Sequence, residues 1–237
     1  MKYNIITGGS SGLGFEIAKL IVEKDENIIL IGRDIDKLEK CKLELKEYQK
    51  ESKIITYQLD ISDEKGVYYF INYLDKNNYN IQRLFNVAGK GFYDNFNNIT
   101  KDKMLDIFNS NLFGLILITK SVCNYMLRHK IKNQRIISIL STAALKGKKN
   151  ETLYNSAKFG AKGFLEALKD EIKDEDIELI NVYPGGMKTP FWKDSNANYN
   201  FDTFMDPLDV ANEIVNISFN QKIYTSDITI NRPKKSN

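Results

Sequence analysis

The chain has 237 residues, of which 42% are hydrophobic and 27% charged, enough apolar material for a full core and a composition that excludes global disorder. Its 34 lysines and arginines stand against 31 aspartates and glutamates, a formal net charge of +3, too balanced for nucleic acid or an anionic membrane to be the main partner. One histidine, His129, and two cysteines, Cys41 and Cys123, exclude a Cys/His zinc centre and a multi-disulfide framework, so no metal site is expected.

Short apolar runs alternate with longer helix-like segments, the pattern of an α/β fold with a doubly wound parallel sheet in one domain over residues 1–237. Lys2 to Thr7 reads as the first strand, entering a glycine cluster directly; it lacks the apolar region and cleavage site of a signal peptide, and a cytoplasmic location with free thiols is expected. The first helix opens after Gly12, with Leu13, Ile17, Leu20 and Ile21 on one face. Asn27 to Ile31 is a second strand. A charged helix follows from Asp34, which is placed to cap it, with Ile35, Leu38, Leu45 and Tyr48 as its expected buried side. Lys53 to Leu59 is the third strand. Ser62 is the expected N-cap of the next helix, with Asp63 and Glu64 in its first turn.

Arg83 to Ala88 reads as a fourth strand, Thr100 to His129 as one long helix and Arg135 to Leu140 as a fifth strand. His129, between Arg128 and Lys130, is expected to be a solvated charge at a helix C-terminus and not a catalytic base. Glu151 to Lys173 is another long helix and Ile177 to Tyr183 a sixth strand. After an aromatic-rich stretch, Pro207 starts a short helix and Ser226 to Asn231 forms the seventh strand. The longest apolar runs, such as Leu115 to Ile118, are too short to span a bilayer.

Thr7-Gly8-Gly9-Ser10-Ser11-Gly12-Leu13-Gly14 lies between a strand and a helix. Glycines there allow a tight turn and close backbone approach to a pyrophosphate, and the helix that follows offers unpaired N–H groups to it. The spacing Gly-x-x-x-Gly-x-Gly after Thr7 resembles the glycine motif of the short-chain dehydrogenases/reductases. The resemblance continues through Asp60-Ile61 after the third strand and Asn86-Val87-Ala88-Gly89 after the fourth. It continues further through Asn111, Ser141, Tyr154-Asn155-Ser156-Ala157-Lys158, and Pro184-Gly185 with Thr189-Pro190. Together these motifs run over residues 7–190.

The resemblance implies a Rossmann-type fold binding a nicotinamide dinucleotide. It assigns cofactor contacts to Thr7, Gly8, Ser10, Ser11, Gly12, Leu13, Gly14, Asp60, Ile61, Asn86, Ala88, Gly89, Tyr154, Lys158, Pro184, Gly185 and Thr189. The second strand ends Ile31-Gly32-Arg33. Gly32 stands where the family's NAD-selecting acid would be, and Arg33 suits a 2′-phosphate, which favours NADP(H) over NAD(H). Ser11 departs from members that carry a second basic residue in the glycine loop.

Moving a hydride to a carbonyl carbon creates an alkoxide that needs a proton. A free tyrosine, with pKa about 10, is too weak an acid to serve well at neutral pH. Lys158, four residues after Tyr154, shares its helical face and is expected to lower the phenol's pKa. Ser141, 13 positions before Tyr154, is expected to hydrogen-bond the substrate oxygen, and Asn111 to hold a water that relays protons to Lys158. The expected reaction is reduction of a carbonyl or oxidation of an alcohol. A catalytically silent NADP(H)-binding sensor or scaffold is the alternative that the residues leave open.

The loops at the carboxyl ends of the strands should form the substrate side. They hold Lys90, Gly91, Phe92 and Tyr93, then Ala143 to Asn150, then a substrate lid at about 185–206 carrying Phe191, Trp192, Tyr199, Phe201 and Phe204. The family also implies a homodimer or homotetramer, for which the apolar stretch Leu112 to Met126 is the expected contact.

Overall fold

The strands are runs of four to eight residues rich in isoleucine: β1 (Lys2–Thr7), β2 (Asn27–Gly32), β3 (Ile54–Gln58), β4 (Asn80–Asn86), β5 (Gln134–Ile139), β6 (Ile177–Pro184) and β7 (Asp227–Ile230). A computed structural model describes residues 1–49, 51–192 and 200–233 and pairs these strands in one parallel sheet. Ile28 to Ile31 of β2 are completely buried, as a strand covered on both faces requires.

The strand order is β3-β2-β1-β4-β5-β6-β7. The chain runs outward from β1 in one direction, then returns to β4 on its other side, so a crevice opens between the carboxyl ends of β1 and β4. Helices α1 (Gly12–Val22), α2 (Ile35–Lys46) and α7 (Pro207–Phe219) pack on one face, around Ile17, Ile21, Leu38 and Ile214. Helices α3 (Glu64–Lys76), α5 (Gly114–His129) and α6 (Thr152–Glu171) cover the other, around Phe70, Val122, Tyr125 and Leu165. The fold is the single Rossmann-like α/β domain that the alternation of elements implies.

Away from the crevice, Arg83 and Arg135 lie buried side by side on the interior strands β4 and β5. Both donate to the carbonyl of Ser218 at the end of α7, over 2.9 and 3.1 Å. Two cations thus meet the negative end of that helix dipole.

The expected helix from Thr100 to His129 is broken. Helix α4 (Lys101–Phe108) and α5 are joined by a π-helical turn at Asn109–Phe113. Asp63, not Ser62, caps α3, because Ser62 donates through both its N–H and its hydroxyl to Asp60. Asp34 caps α2 as expected. Two residues expected on the buried side of α2 are exposed. Tyr48 lies beyond the last turn, and Ile35 lies in the first turn, while Cys41 takes the interior place between Leu38 and Leu45.

Leu115, Ile118, Val122, Cys123 and Met126 are interior side chains. The stretch Leu112 to Met126 is therefore mostly core and not free surface. Both cysteines are buried and free. Among the described residues, no helix is long and apolar enough to cross a membrane, and no cluster of metal-ligating side chains occurs.

Candidate active site

A cavity of about 390 Å³ opens at the crevice between β1 and β4. Its floor is the turn from β1 into α1. Gly8 has φ +68°, and a Cβ there would stand 2.9 Å from Ala88 Cα. Gly12 has φ +52°, and its Cβ would sit 3.2 Å from Thr189. A side chain at Gly14 would collide with the carbonyl of Gly8 at 2.3 Å. The loop can therefore be built only from glycine at these points, and it brings bare backbone to the cavity wall.

Helix α1 begins at that wall. Ser11 occupies its N-cap position without a side-chain hydrogen bond, and its first turn holds no acidic residue. Its first N–H groups and the positive end of its dipole are left for an anion. The glycine cradle and the uncapped helix suit a pyrophosphate, so the residues present fit a dinucleotide.

Gly8, Ser10, Ser11, Gly12, Leu13 and Gly14 line this wall. Arg33, Asp60 and Ile61 line the far end, where Arg33 is exposed. Asp34 accepts from Lys37 N–H at 3.0 Å and so serves as the cap of α2. Ala88, Gly89, Pro184, Gly185 and Thr189 complete the expected set on the wall.

Two expected contact residues stand behind the wall instead. Thr7 is buried and its hydroxyl accepts from Val87 N–H and Ala88 N–H at 3.0 and 3.2 Å, tying β1 to the end of β4. Asn86 is buried and donates to Thr119 and Ser138.

The other end of the cavity gathers Ser141, Tyr154 and Lys158. Ser141 leaves β5 in extended conformation and caps a short turn through Ala143 N–H at 3.0 Å. Tyr154 and Lys158 are 5% and 3% exposed, adjacent on one face of α6. The Lys158 ammonium donates to the Ile139 carbonyl at 3.2 Å and lies 5.7 Å from the Tyr154 ring centre. Burial lowers Lys158 to a pKa of about 8. Burial pushes the Tyr154 phenol above its ordinary value, the Ser141 hydrogen bond pulls it down, and Glu151 raises it further. Lys158, which the sequence leads one to expect to lower the phenol's pKa, is not among the groups that shift it; burial dominates.

Asn111 is buried in the π-helical turn and does not line the cavity. Its amide donates to the carbonyls of Lys90 and Ile107 at 2.9 and 3.0 Å, and its oxygen accepts from Lys90 N–H at 3.2 Å. A Cβ at Gly89 would meet that oxygen at 2.8 Å and Lys158 Nζ at 3.7 Å. The side chain expected to hold a relay water is thus engaged with the protein, clamping the loop after β4 beside Lys158.

Phe191, Trp192 and Phe204, described residues of the segment after β6, line the cavity roof. Phe191 meets Tyr154 edge-on at 5.7 Å, Trp192 meets Phe191 at 5.1 Å, and Phe204 meets Trp192 at 5.9 Å. Met187 and Met205 form a β-bridge that joins the two ends of the segment. Tyr199 lies outside the described residues. Sequence reasoning missed Glu151 and Arg232, which also line the cavity. Glu151, three residues before Tyr154, shares its helical face, a spacing that was legible.

The described geometry has counterparts among known proteins. The chain is 27% identical over 221 residues to a 3-oxoacyl-[acyl-carrier-protein] reductase of Bos taurus, covering 90% of each. It is 30% identical to a 3-ketodihydrosphingosine reductase of Dictyostelium discoideum, over 90% of this chain and 71% of that one. An uncharacterised oxidoreductase of Schizosaccharomyces pombe is 29% identical over 82% of this chain, which spans 63% of that protein's length. Among solved structures, a short-chain dehydrogenase/reductase from Vibrio parahaemolyticus superposes with TM-score 0.81 at 28% identity, over 97% of this chain and 100% of that one. An alcohol dehydrogenase of the archaeon Thermococcus sibiricus, complexed with 5-hydroxy-NADP, superposes with TM-score 0.87 over 99% of both chains at 20% identity, a likeness of fold. The family model described as short chain dehydrogenase matches residues 2–200, and the chain belongs to that family.

Proposed function

We propose that the protein is an NADP(H)-dependent carbonyl reductase, with Tyr154 as the proton donor. The observation that carries the reading is that Ser141, Tyr154 and Lys158 line the same cavity as the glycine cradle of residues 8–14. The relatives from Dictyostelium and Bos taurus carry the names of a keto and an oxo reductase, in keeping with this direction.

A nicotinamide dinucleotide bound here supplies the hydride in reduction and receives it in alcohol oxidation. Gly8, Gly12 and the first turn of α1 hold its pyrophosphate, Arg33 the 2′-phosphate, and Asp60 and Ile61 flank the adenine end. The Ser141 hydroxyl hydrogen-bonds the substrate oxygen, where negative charge develops. Tyr154 Oη delivers its proton to that oxygen. Burial raises the phenol's pKa, which keeps it protonated at neutral pH but makes it a weaker acid than a free tyrosine, so the transfer depends on a cation that stabilises the phenolate. The Lys158 ammonium, 5.7 Å from the ring centre, stabilises the phenolate left behind. Asn111 is a positioning residue that fixes Gly89 and Lys90 against Lys158.

Phe191, Trp192 and Phe204 enclose the reacting end and exclude water, which strengthens these interactions. The segment that carries them is the lid through which substrate enters. A homodimer fits the large apolar side chains left exposed on α4, the π-helical turn and α6, namely Leu105, Phe113 and Phe159.

Deuterium transfer tests the assignment. With NADPH deuterated at nicotinamide C4 and a panel of ketones and aldehydes, mass spectrometry should find the label on the carbinol carbon of the product. Bound NADPH that is never consumed across the panel contradicts the reading and favours a cofactor-binding sensor.

A further inference from the structure

The cavity wall contains an arginine that the mechanism above does not use. Arg232 follows β7 and lines the cavity with Gly186 and Phe204. Strand β7 pairs with β6, and Gly185 N–H donates to the Ile230 carbonyl at 2.9 Å, so the chain leaving β7 is held against the loop that follows β6. There the guanidinium lies 4.2 Å from the centre of the Phe204 ring. A Cβ at Gly186 would stand 2.8 Å from Arg232 Nη2 and 2.7 Å from that ring. The bare backbone of Gly186 thus leaves the space in which the guanidinium stacks on the ring.

The guanidinium is positioned but not saturated. Nη1 donates to the Thr203 hydroxyl at 2.9 Å. Among the described residues no carboxylate pairs with Arg232, and Nε and Nη2 have no acceptor. These two nitrogens form one edge of the fork, the edge that matches the two oxygens of a carboxylate. The other charges on the wall are placed differently. Lys90 is paired with Asp106 at 2.6 Å, and Lys148 reaches the Thr142 hydroxyl at 3.4 Å. Asp60 is bonded to Ser62 at the opposite end, and Glu151 is buried at the start of α6 and already partnered. Rings connect Arg232 to the reacting end. Tyr154 meets Phe191 at 5.7 Å, Phe191 meets Trp192 at 5.1 Å, and Trp192 meets Phe204, which carries the guanidinium, at 5.9 Å.

We propose that Arg232 is a specificity-determining residue: its free edge holds a carboxylate at the far end of an apolar chain that runs along Phe191 and Trp192 and presents its carbonyl to Tyr154. The substrate class is therefore an oxo acid whose acidic end is remote from the reacting carbonyl. This inference rests on the carbonyl-reductase reading of the same cavity. A group held far from the reacting carbon is bound alike in the ground state and the transition state, so its contribution enters through KM and not through kcat. Arg232 is exposed, and solvent reduces the strength of the pair.

The test uses straight-chain methyl ketones of increasing length that end in a carboxylate, each beside its primary amide, with NADPH at pH 7. The wild type should use acid and amide alike while the chain is too short to span the rings, and should prefer the acid, through a lower KM, once it spans them. In Arg232→Gln the acid-to-amide ratio of kcat/KM at that length should fall by about 5- to 20-fold, between the worth of an exposed ion pair and that of a charge-assisted hydrogen bond. Arg232→Glu should reverse the preference, and the KM for NADPH should not move in either variant. A general loss of activity cancels in these ratios. Should a variant turn over too slowly, the ratio of inhibition constants for the matching hydroxy acid and hydroxy amide gives the same readout. Acid and amide used alike by the wild type at every length, or a ratio unchanged in Arg232→Gln, overturns the role of Arg232 and leaves the reductase reading standing. A raised KM for NADPH with an unchanged ratio overturns it too and assigns Arg232 to the cofactor. Turnover of neither series by the NADPH-bound wild type refutes the reductase reading and this assignment with it.

Discussion

Lys158 is an ammonium that the fold keeps out of water, and Lys158→Met measures what that costs. Burial lowers its pKa from 10.5 to about 8. At about 1.36 kcal/mol per pH unit, the charged form costs the folded state about 3 kcal/mol at pH 7. Methionine fills similar space without charge. It loses the hydrogen bond to the Ile139 carbonyl, 3.2 Å long and worth about 1 kcal/mol. The variant should be more stable by about 2 kcal/mol, which in a chain of this size raises Tm by about 4–8 °C.

The pH dependence gives the argument its sign. Between about pH 8 and 10.5 the unfolded chain keeps the Lys158 proton and the folded chain releases it. Wild-type stability therefore gains on the variant across that window, and the advantage of Lys158→Met should shrink toward pH 10. Thermal unfolding of both proteins without cofactor, at pH 7 and pH 10, reads this directly. A variant no more stable than wild type at pH 7, or an advantage that does not shrink with pH, refutes the claim that Lys158 is held charged against its own burial. The same variant should lose turnover, so stability and activity would move in opposite directions.

Reduction should run at a constant rate below about pH 8 and fall about tenfold per pH unit above it as Lys158 loses its proton. Oxidation, which needs the phenol deprotonated, should instead rise with pH, and reduction that quickens between pH 8 and 10 would contradict these roles. Arg33→Asp removes a guanidinium from the adenine end and adds a carboxylate. The KM for NADPH should rise by about 10- to 100-fold while NADH is spared, and an unchanged cofactor ratio would count against Arg33.

The architecture was legible because its signals are local. Alternating apolar runs and helical periods fix the sheet, and strand, glycines and helix in succession fix the phosphate cradle. Asp34 as a cap was legible for the same reason. Ser62 was misread because Asp60, two residues earlier, holds both of its donors. The π-helical turn was invisible to periodicity, since one extra residue turns the helix without changing its composition. Its nearest trace is Gly114, where a Cβ would stand 2.6 Å from Ile61.

At the site, sequence order placed Ser141, Tyr154 and Lys158 together, but it could not weigh burial against charge. The phenol was expected to be acidic because a lysine lies four residues on. The structure buries both groups, and desolvation dominates each of them. Thr7, Asn86 and Asn111 show the same limit. Their motifs are intact, but their side chains brace the walls, a distinction that depends on which way each side chain points.

Tyr154→Phe tests the central claim most directly, because it deletes one oxygen and keeps the ring against Phe191. NADPH binding, followed by the cofactor's fluorescence, should stay within about threefold of wild type. Ketone reduction should fall by about 10²- to 10⁴-fold, the usual worth of a positioned proton donor. Turnover within a few-fold of wild type in this variant would contradict the assignment of the proton to Tyr154.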